Sequence, residues 1–158
     1  MNKEIKYIPG DLVMTNGIPI GTKNGIVYQV TESNPDKYRP VEDGNAFTEL
    51  KGSVTLSNIK GKTVYDEGFL FGDCGAWVKD IVPIPLAPAI LEKNGWEKEK
   101  YGLSYYKKES NTLEFRLICK TYGWTLRCGN KDLIEKVEFI HQLQHFLFGL
   151  GIYHEMEV

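Results

Sequence analysis

The stretch EKVEFIHQLQHFLFGLG, residues 135–151, decides the fold, because it is the one segment with a sustained helical period over four turns. Val137, Ile140, Leu143, Leu147 and Leu150 recur at the spacing that places side chains on one stripe of a helix. Phe139, Phe146 and Phe148 widen that stripe, and Glu138, His141, Gln142 and His145 gather opposite it. An apolar arc this broad needs a sheet beneath it or cover from two sides. Gly149 and Gly151 provide the stop. The start is open: Asn130 or Asp132 caps the helix, or residues 132–136 form an extended lead-in.

The sheet for this helix is sought immediately upstream. Leu103–Lys108 and Leu113–Lys120 flank the hairpin loop Glu109-Ser110-Asn111-Thr112, and Thr125–Cys128 follows a second turn at Tyr122-Gly123-Trp124. Period-two alternation puts Leu113, Phe115, Leu117 and Cys119 on one face and Glu114, Arg116, Ile118 and Lys120 on the other. With Gly123-Trp124 as a two-residue loop, Cys119 lies opposite Cys128, and Trp124, Leu126 and Cys128 extend the apolar face. Residues 83–96, PIPLAPAILEKNGW, read as a joint: Pro83 and Pro85 enforce an extended path, Pro88 opens a short helix over Ala89–Asn94, and Gly95 ends it.

Residues 1–82 read as short strands cut by turns. Ile5–Ile8, Leu12–Met14, Ile26–Val30, Val54–Leu56, Phe69–Phe71 and Ala76–Val82 are the extended runs, and Ser33–Pro40 reads as a loop. Pro9-Gly10-Asp11-Leu12-Val13, with Gly25-Ile26-Val27 further on, suits the first hairpin of an SH3-like barrel. The expected fold class is therefore α+β. A β-rich subdomain over 1–82, either a small curled antiparallel sheet or an SH3-like partial barrel, precedes an α+β subdomain over 83–158, or the two form one compact unit.

Bulk properties narrow the function classes. The chain has 158 residues, 42% of them apolar, and a net charge of −2. No basic excess favours duplex binding by phosphate neutralisation. No apolar run reaches the ~18–20 residues of a membrane span, and no signal-peptide core follows Met1, so a cytosolic protein is expected. Cys74, Cys119 and Cys128 are too scattered for a disulfide framework. Phosphate-loop, dinucleotide-binding, nucleophile-elbow and Cys-x-x-Cys patterns are missing from the sequence.

The segments Pro83-Ile84-Pro85-Leu86…Ile90-Leu91-Glu92-Lys93-Asn94-Gly95-Trp96 and Val137…Ile140-His141-Gln142-Leu143-Gln144 resemble a family of small uncharacterised proteins of Bacteroidetes and of their phages and mobile elements. The resemblance covers about residues 77–151, with Ala87 and Ala89 departing from its hydroxyl and acidic residues. It implies an origin and a fold and carries no catalytic residue.

Three constellations bear on chemistry. Arg116, Lys120 and Arg127 share the outer face of the second hairpin, with Tyr105 placed beside Arg116, a pattern that binds a nucleotide or single-stranded nucleic acid by charge and stacking. Glu138, His141 and His145 have the i, i+3 and i+7 spacing of a weak metal alternative, without the zinc-protease order. Tyr28, Tyr38, Phe69 and Phe71 are aromatics of the first half able to build a binding surface. The leading expectation is a non-enzymatic interaction protein acting on a protein partner or on itself, without a cofactor. A nucleic-acid module and a metal-dependent enzyme are the alternatives.

Overall fold

The computed structural model describes residues 6–40 and 50–158. The chain forms two compact units, Met1–Ile84 and Pro85–Val158. The fold is α+β, with two antiparallel sheets and two helices among the described residues. Among the described residues no helix is long and apolar enough to cross a membrane.

The first unit holds β1 (Leu12–Thr15), β2 (Val27–Arg39), β3 (Leu50–Asn58), β4 (Cys74–Trp77), a 3₁₀ turn (Val78–Asp80) and β5 (Ile81–Pro83). The strand order is β4-β3-β2-β1-β5, so the fifth strand returns to pair with the first. A 3₁₀ turn leads into that last strand. Inward residues of successive strands, Val13, Tyr28, Val30, Val54, Leu56, Ala76 and Ile81, make the core, and Leu70 and Cys74 complete it. Tyr28 is therefore a core residue and not a surface aromatic.

Four further expectations for this unit are corrected. Ser33–Pro40 is not a loop, because β2 continues to Arg39 against β3. Pairing breaks between Asn34 and Tyr38, so residues 35–37 lie opposite the one residue Gly52. Pro35, which has no N–H to give to a ladder, falls inside that bulge. Phe69–Phe71 is not a strand; it belongs to the long β3–β4 connection. Ala76–Val82 is not one run, since the 3₁₀ turn separates β4 from β5. Of the expected strand Ile5–Ile8, Ile5 lies outside the described residues, and 6–8 are not in a strand.

The second unit contains α1 (Pro88–Lys93), β6 (Glu97–Lys98), β7 (Ser104–Lys108), β8 (Glu114–Lys120), β9 (Gly123–Cys128), β10 (Lys131–Val137) and α2 (Ile140–Gly149). The strands pair in chain order as a meander. Phe115, Leu117, Trp124 and Leu126 are buried on the inner face together with Tyr105. Phe146 of α2 meets Phe115 edge-on, with ring centroids 5.8 Å apart. The Trp124 indole donates to the Leu86 carbonyl at 3.1 Å, and Leu86 N–H donates to Glu138 O at 2.8 Å, so the proline-rich segment is laced to this sheet.

The terminal helix is shorter than its period suggested. Residues 131–137 are a strand paired with β9, and the helix occupies ten residues. Gln142 Oε1 accepts from Glu138 N–H at 2.7 Å and Phe139 N–H at 3.0 Å and so fixes its first turn. Ile140, Leu143 and Leu147 are buried as expected, whereas Leu150 and Phe148 are exposed. The hairpin before β9 also shifts: Thr121-Tyr122 is the loop, which sets Cys119 opposite Trp124 and Cys128 opposite Phe115. Cys119 and Cys128 are therefore not paired across the strands, and both are free thiols.

Candidate functional site

The outer face of the second sheet brings Arg116 and Arg127 together as a cross-strand pair, and Lys120 lies further along β8 opposite Gly123. Carboxylates on the same face meet the guanidinium groups. Arg116 pairs with Glu114 at 2.9 Å and Glu99 at 3.3 Å, and Arg127 pairs with Asp132. Hydrogen bonding to Glu114, then the charges of Glu99 and Glu114, raise the Arg116 pKa. Hydrogen bonding to Arg127 holds Asp132 below the ordinary carboxylate range, with Arg127 and Lys120 adding favourable charge. Tyr105 is not on this face. It pairs with Leu117, is buried against Trp124, and donates its hydroxyl to Glu92 at 2.9 Å. The aromatic beside Arg116 is Tyr106, whose hydroxyl donates to Glu97 at 2.6 Å. The two guanidinium groups are thus matched by carboxylates, which a phosphate arriving at either arginine would have to displace.

The histidines of α2 are also placed differently from expectation. His141 is buried instead of facing solvent, as is Gln144. The helix is covered beyond its apolar stripe: the Phe139 ring stacks on His141 at 5.8 Å, and Gln144 Nε2 donates to the His154 carbonyl at 3.3 Å. His145 meets His141 edge-on at 5.6 Å between centroids. Glu138 turns to Lys136 at 2.8 Å. Among the described residues no group of three His, Cys, Asp or Glu side chains is arranged to hold a metal.

The first unit carries the site that sequence reasoning only half located. The β1–β2 connection and the β3–β4 connection run side by side and are stitched along their length. The Cys74 thiol donates to the Ile20 carbonyl at 3.0 Å, and burial raises its pKa. The Tyr28 hydroxyl accepts from Lys23 N–H at 3.0 Å and donates to Gly68 O at 2.9 Å. Asn58 clamps Leu70 through both its backbone groups, at 2.7 and 2.9 Å. Lys23 pairs with Glu67 at the surface.

Close approach of the two loops requires glycine. Gly68 has φ +69°, and a Cβ there would stand 2.7 Å from the Tyr28 hydroxyl and 3.1 Å from Ile26. Gly21 has φ +82°, and its Cβ would stand 3.1 Å from the Leu70 side chain. Both positions combine a left-handed backbone with contact that a side chain would crowd.

From this platform large apolar side chains project into solvent. Ile20 is 92% exposed, Phe71 90% and Tyr65 95%; Ile18 and Val64 are also exposed. Phe69, half-buried, supports Phe71 edge-on at 5.4 Å. Of the aromatics expected to form a surface, Phe71 and Phe69 lie here, Tyr38 is exposed on β2, and Tyr28 lies beneath as the pin. Ile18, Ile20, Val64 and Tyr65 were missed. Their signal was available in NGIPIG, residues 16–21, where isoleucines interrupt a turn-rich stretch that offers them no strand partner. No protein-family model, curated protein or solved structure matches the chain.

Proposed function

We propose that this chain is a non-enzymatic interaction protein that acts through the loop platform of its first unit, on a protein partner or on itself. The observation that carries the reading is the exposure of Ile20 and Phe71 on two loops joined through the Tyr28 hydroxyl and the Lys23–Glu67 pair. Solvated apolar side chains on a fixed scaffold cost little entropy when a partner covers them. Aromatic residues are the ones enriched in such surfaces. The alternative of nucleotide or single-stranded nucleic-acid binding at Arg116, Lys120 and Arg127 has less support, since Glu99, Glu114 and Asp132 already engage the two guanidinium groups. An origin in a phage or mobile element of Bacteroidetes rests on the resemblance of the Pro83–Trp96 and Val137–Gln144 segments, and work in the host cytosol on the sequence's lack of a membrane-length apolar run and of a signal-peptide core.

The test compares the wild-type chain with the double variant Ile20→Ser/Phe71→Ser, in which both changes are on solvated side chains. Self-association and recovery of proteins from a bacterial lysate are measured for both. The variant is expected to lose what the wild type binds while keeping its circular dichroism and melting temperature. Binding that is identical in the two proteins would reject this surface.

A further inference from the structure

We propose that the second unit holds a binding site for an extended peptide, and that residues 152–158 of the chain itself fill it. The site is built from the end of α1 and from α2. It uses none of the loops of the first unit, so it stands or falls apart from the reading above.

Asn94 is the centre of the site. It closes α1, and its Nδ2 donates to the Ile90 carbonyl at 2.7 Å, which fixes the direction of the carboxamide. The same carboxamide then reads the main chain of Glu157 in both senses. Nδ2 donates to the Glu157 carbonyl at 2.7 Å, and Oδ1 accepts from Glu157 N–H at 2.8 Å. A side-chain amide used in this way takes the place of a neighbouring strand, and it holds a residue by its backbone whatever its side chain. Two further side chains bind the same segment by its carbonyls. Lys93 Nζ donates to Val158 O at 2.8 Å, and the buried Gln144 donates through Nε2 to His154 O at 3.3 Å. Three side chains from α1, its cap and α2 thus recognise main-chain groups of residues 154, 157 and 158.

Residues 152–158 meet these groups as a ligand would. They belong to no helix or strand, and Met156 is their one buried side chain. The His154 ring, half-buried, meets Phe148 edge-on at 4.9 Å, while Tyr153, Glu155 and Glu157 are exposed. Gly151, at φ +69° with open space around the position of a Cβ, sets the segment off from α2. A segment with one buried anchor and no strand ladder opens at a lower cost than the sheet beside it, so the site can change its occupant while the fold stays intact. The occupant also states the chemistry of the ligand. It is an extended peptide whose methionine, a flexible side chain suited to an irregular gap, is followed by a residue offering both backbone groups. Glu155 and Glu157 face solvent on either side of Met156, which leaves the methionine to select the sequence.

The test titrates a fluorescent peptide of sequence IYHEMEV, residues 152–158, into the full chain. The wild type is expected to bind it weakly, because the site is free only in the fraction of molecules whose own segment has opened. Met156→Asp in the full chain loosens that segment and should bind the peptide about tenfold more tightly or better. Asn94→Ala added to Met156→Asp should remove the binding, and a peptide with serine in place of its methionine should bind neither chain. Binding by Met156→Asp that is no tighter than wild type, or that survives Asn94→Ala, overturns the site. Should Met156→Asp unfold, amide hydrogen exchange of the wild type decides. Glu157 N–H is expected to exchange faster than the amides of β8, and faster again in Asn94→Ala with β8 unchanged. Exchange of Glu157 at the rate of β8 would make the segment a fixed part of the fold and overturn the proposal.

Discussion

The loop platform of the first unit and the outer face of the second sheet are both open to solvent, yet they are built on opposite terms. On the sheet face, charged side chains meet their counterparts: Arg116 meets Glu99 and Glu114, and Arg127 meets Asp132. On the platform, Ile20, Tyr65 and Phe71 stay almost fully exposed to solvent. A surface that satisfies itself in the folded monomer gains little from a partner. One whose apolar groups remain solvated gains on the order of 25 cal/mol for each Å² covered. Residues rich in charge thus mark the surface that satisfies itself, and the solvated apolar side chains stand on the loops.

The sharpest way to break this contrast is to unpin the platform. Gly68→Ala places a side chain in a left-handed backbone, at a cost of about 1–2 kcal/mol, and drives its Cβ against the Tyr28 hydroxyl. Chemical denaturation should show that loss or more, together with weaker binding at the loops. Tyr28→Phe keeps the ring and removes both hydrogen bonds that join the loops. A loss of about 1–3 kcal/mol is expected, as for buried polar groups left without a partner.

The second sheet should respond less. Tyr105→Phe removes a bond to Glu92 from a buried side chain and should cost about 1 kcal/mol. Tyr106→Phe, on the solvent side, should change the unfolding midpoint by less. The reverse order would show that the two tyrosines have been assigned to the wrong faces. Smallest of all, Arg116→Ala/Arg127→Ala should leave binding of a fluorescent oligothymidylate at low salt as weak as in the wild type, because exposed ion pairs of this kind contribute little and the face is balanced. Tight, salt-sensitive binding by the wild type that this variant loses would restore the nucleic-acid reading.

Much of the fold is written locally. The β-rich first half, the Pro88 helix and the β7–β8 hairpin follow from turn residues and period-two alternation. The terminal helix was over-extended for a physical reason. Register shifts on either side of Ile134 break the alternation of β10 and leave Ile134 and Val137 three residues apart, each opposite an inner-face residue of β9. That spacing imitates a helix. Ser33–Pro40 has the composition of a loop and is a strand because β3 supplies its hydrogen bonds, with Pro35 absorbed in a bulge.

The candidate site was less legible. Tyr105 and Tyr106 are adjacent, and the hint lay in Leu103 and Tyr105 forming the more apolar parity against Ser104 and Tyr106. The partners of Arg116 and Arg127 sit in part on other strands, so only register shows that their charge is matched. Exposure of Ile20 and Phe71 depends on two connections about fifty residues apart meeting through Cys74, Tyr28 and the Lys23–Glu67 pair, which no local pattern encodes.

Amide chemical shifts followed against protein concentration, and on addition of proteins captured from a lysate, test the contrast between the two surfaces most directly. The account predicts shifts confined to residues 16–26 and 59–73, with the amides of 104–128 unchanged. Shifts centred on Arg116 and Arg127, or none in either titration, would contradict it.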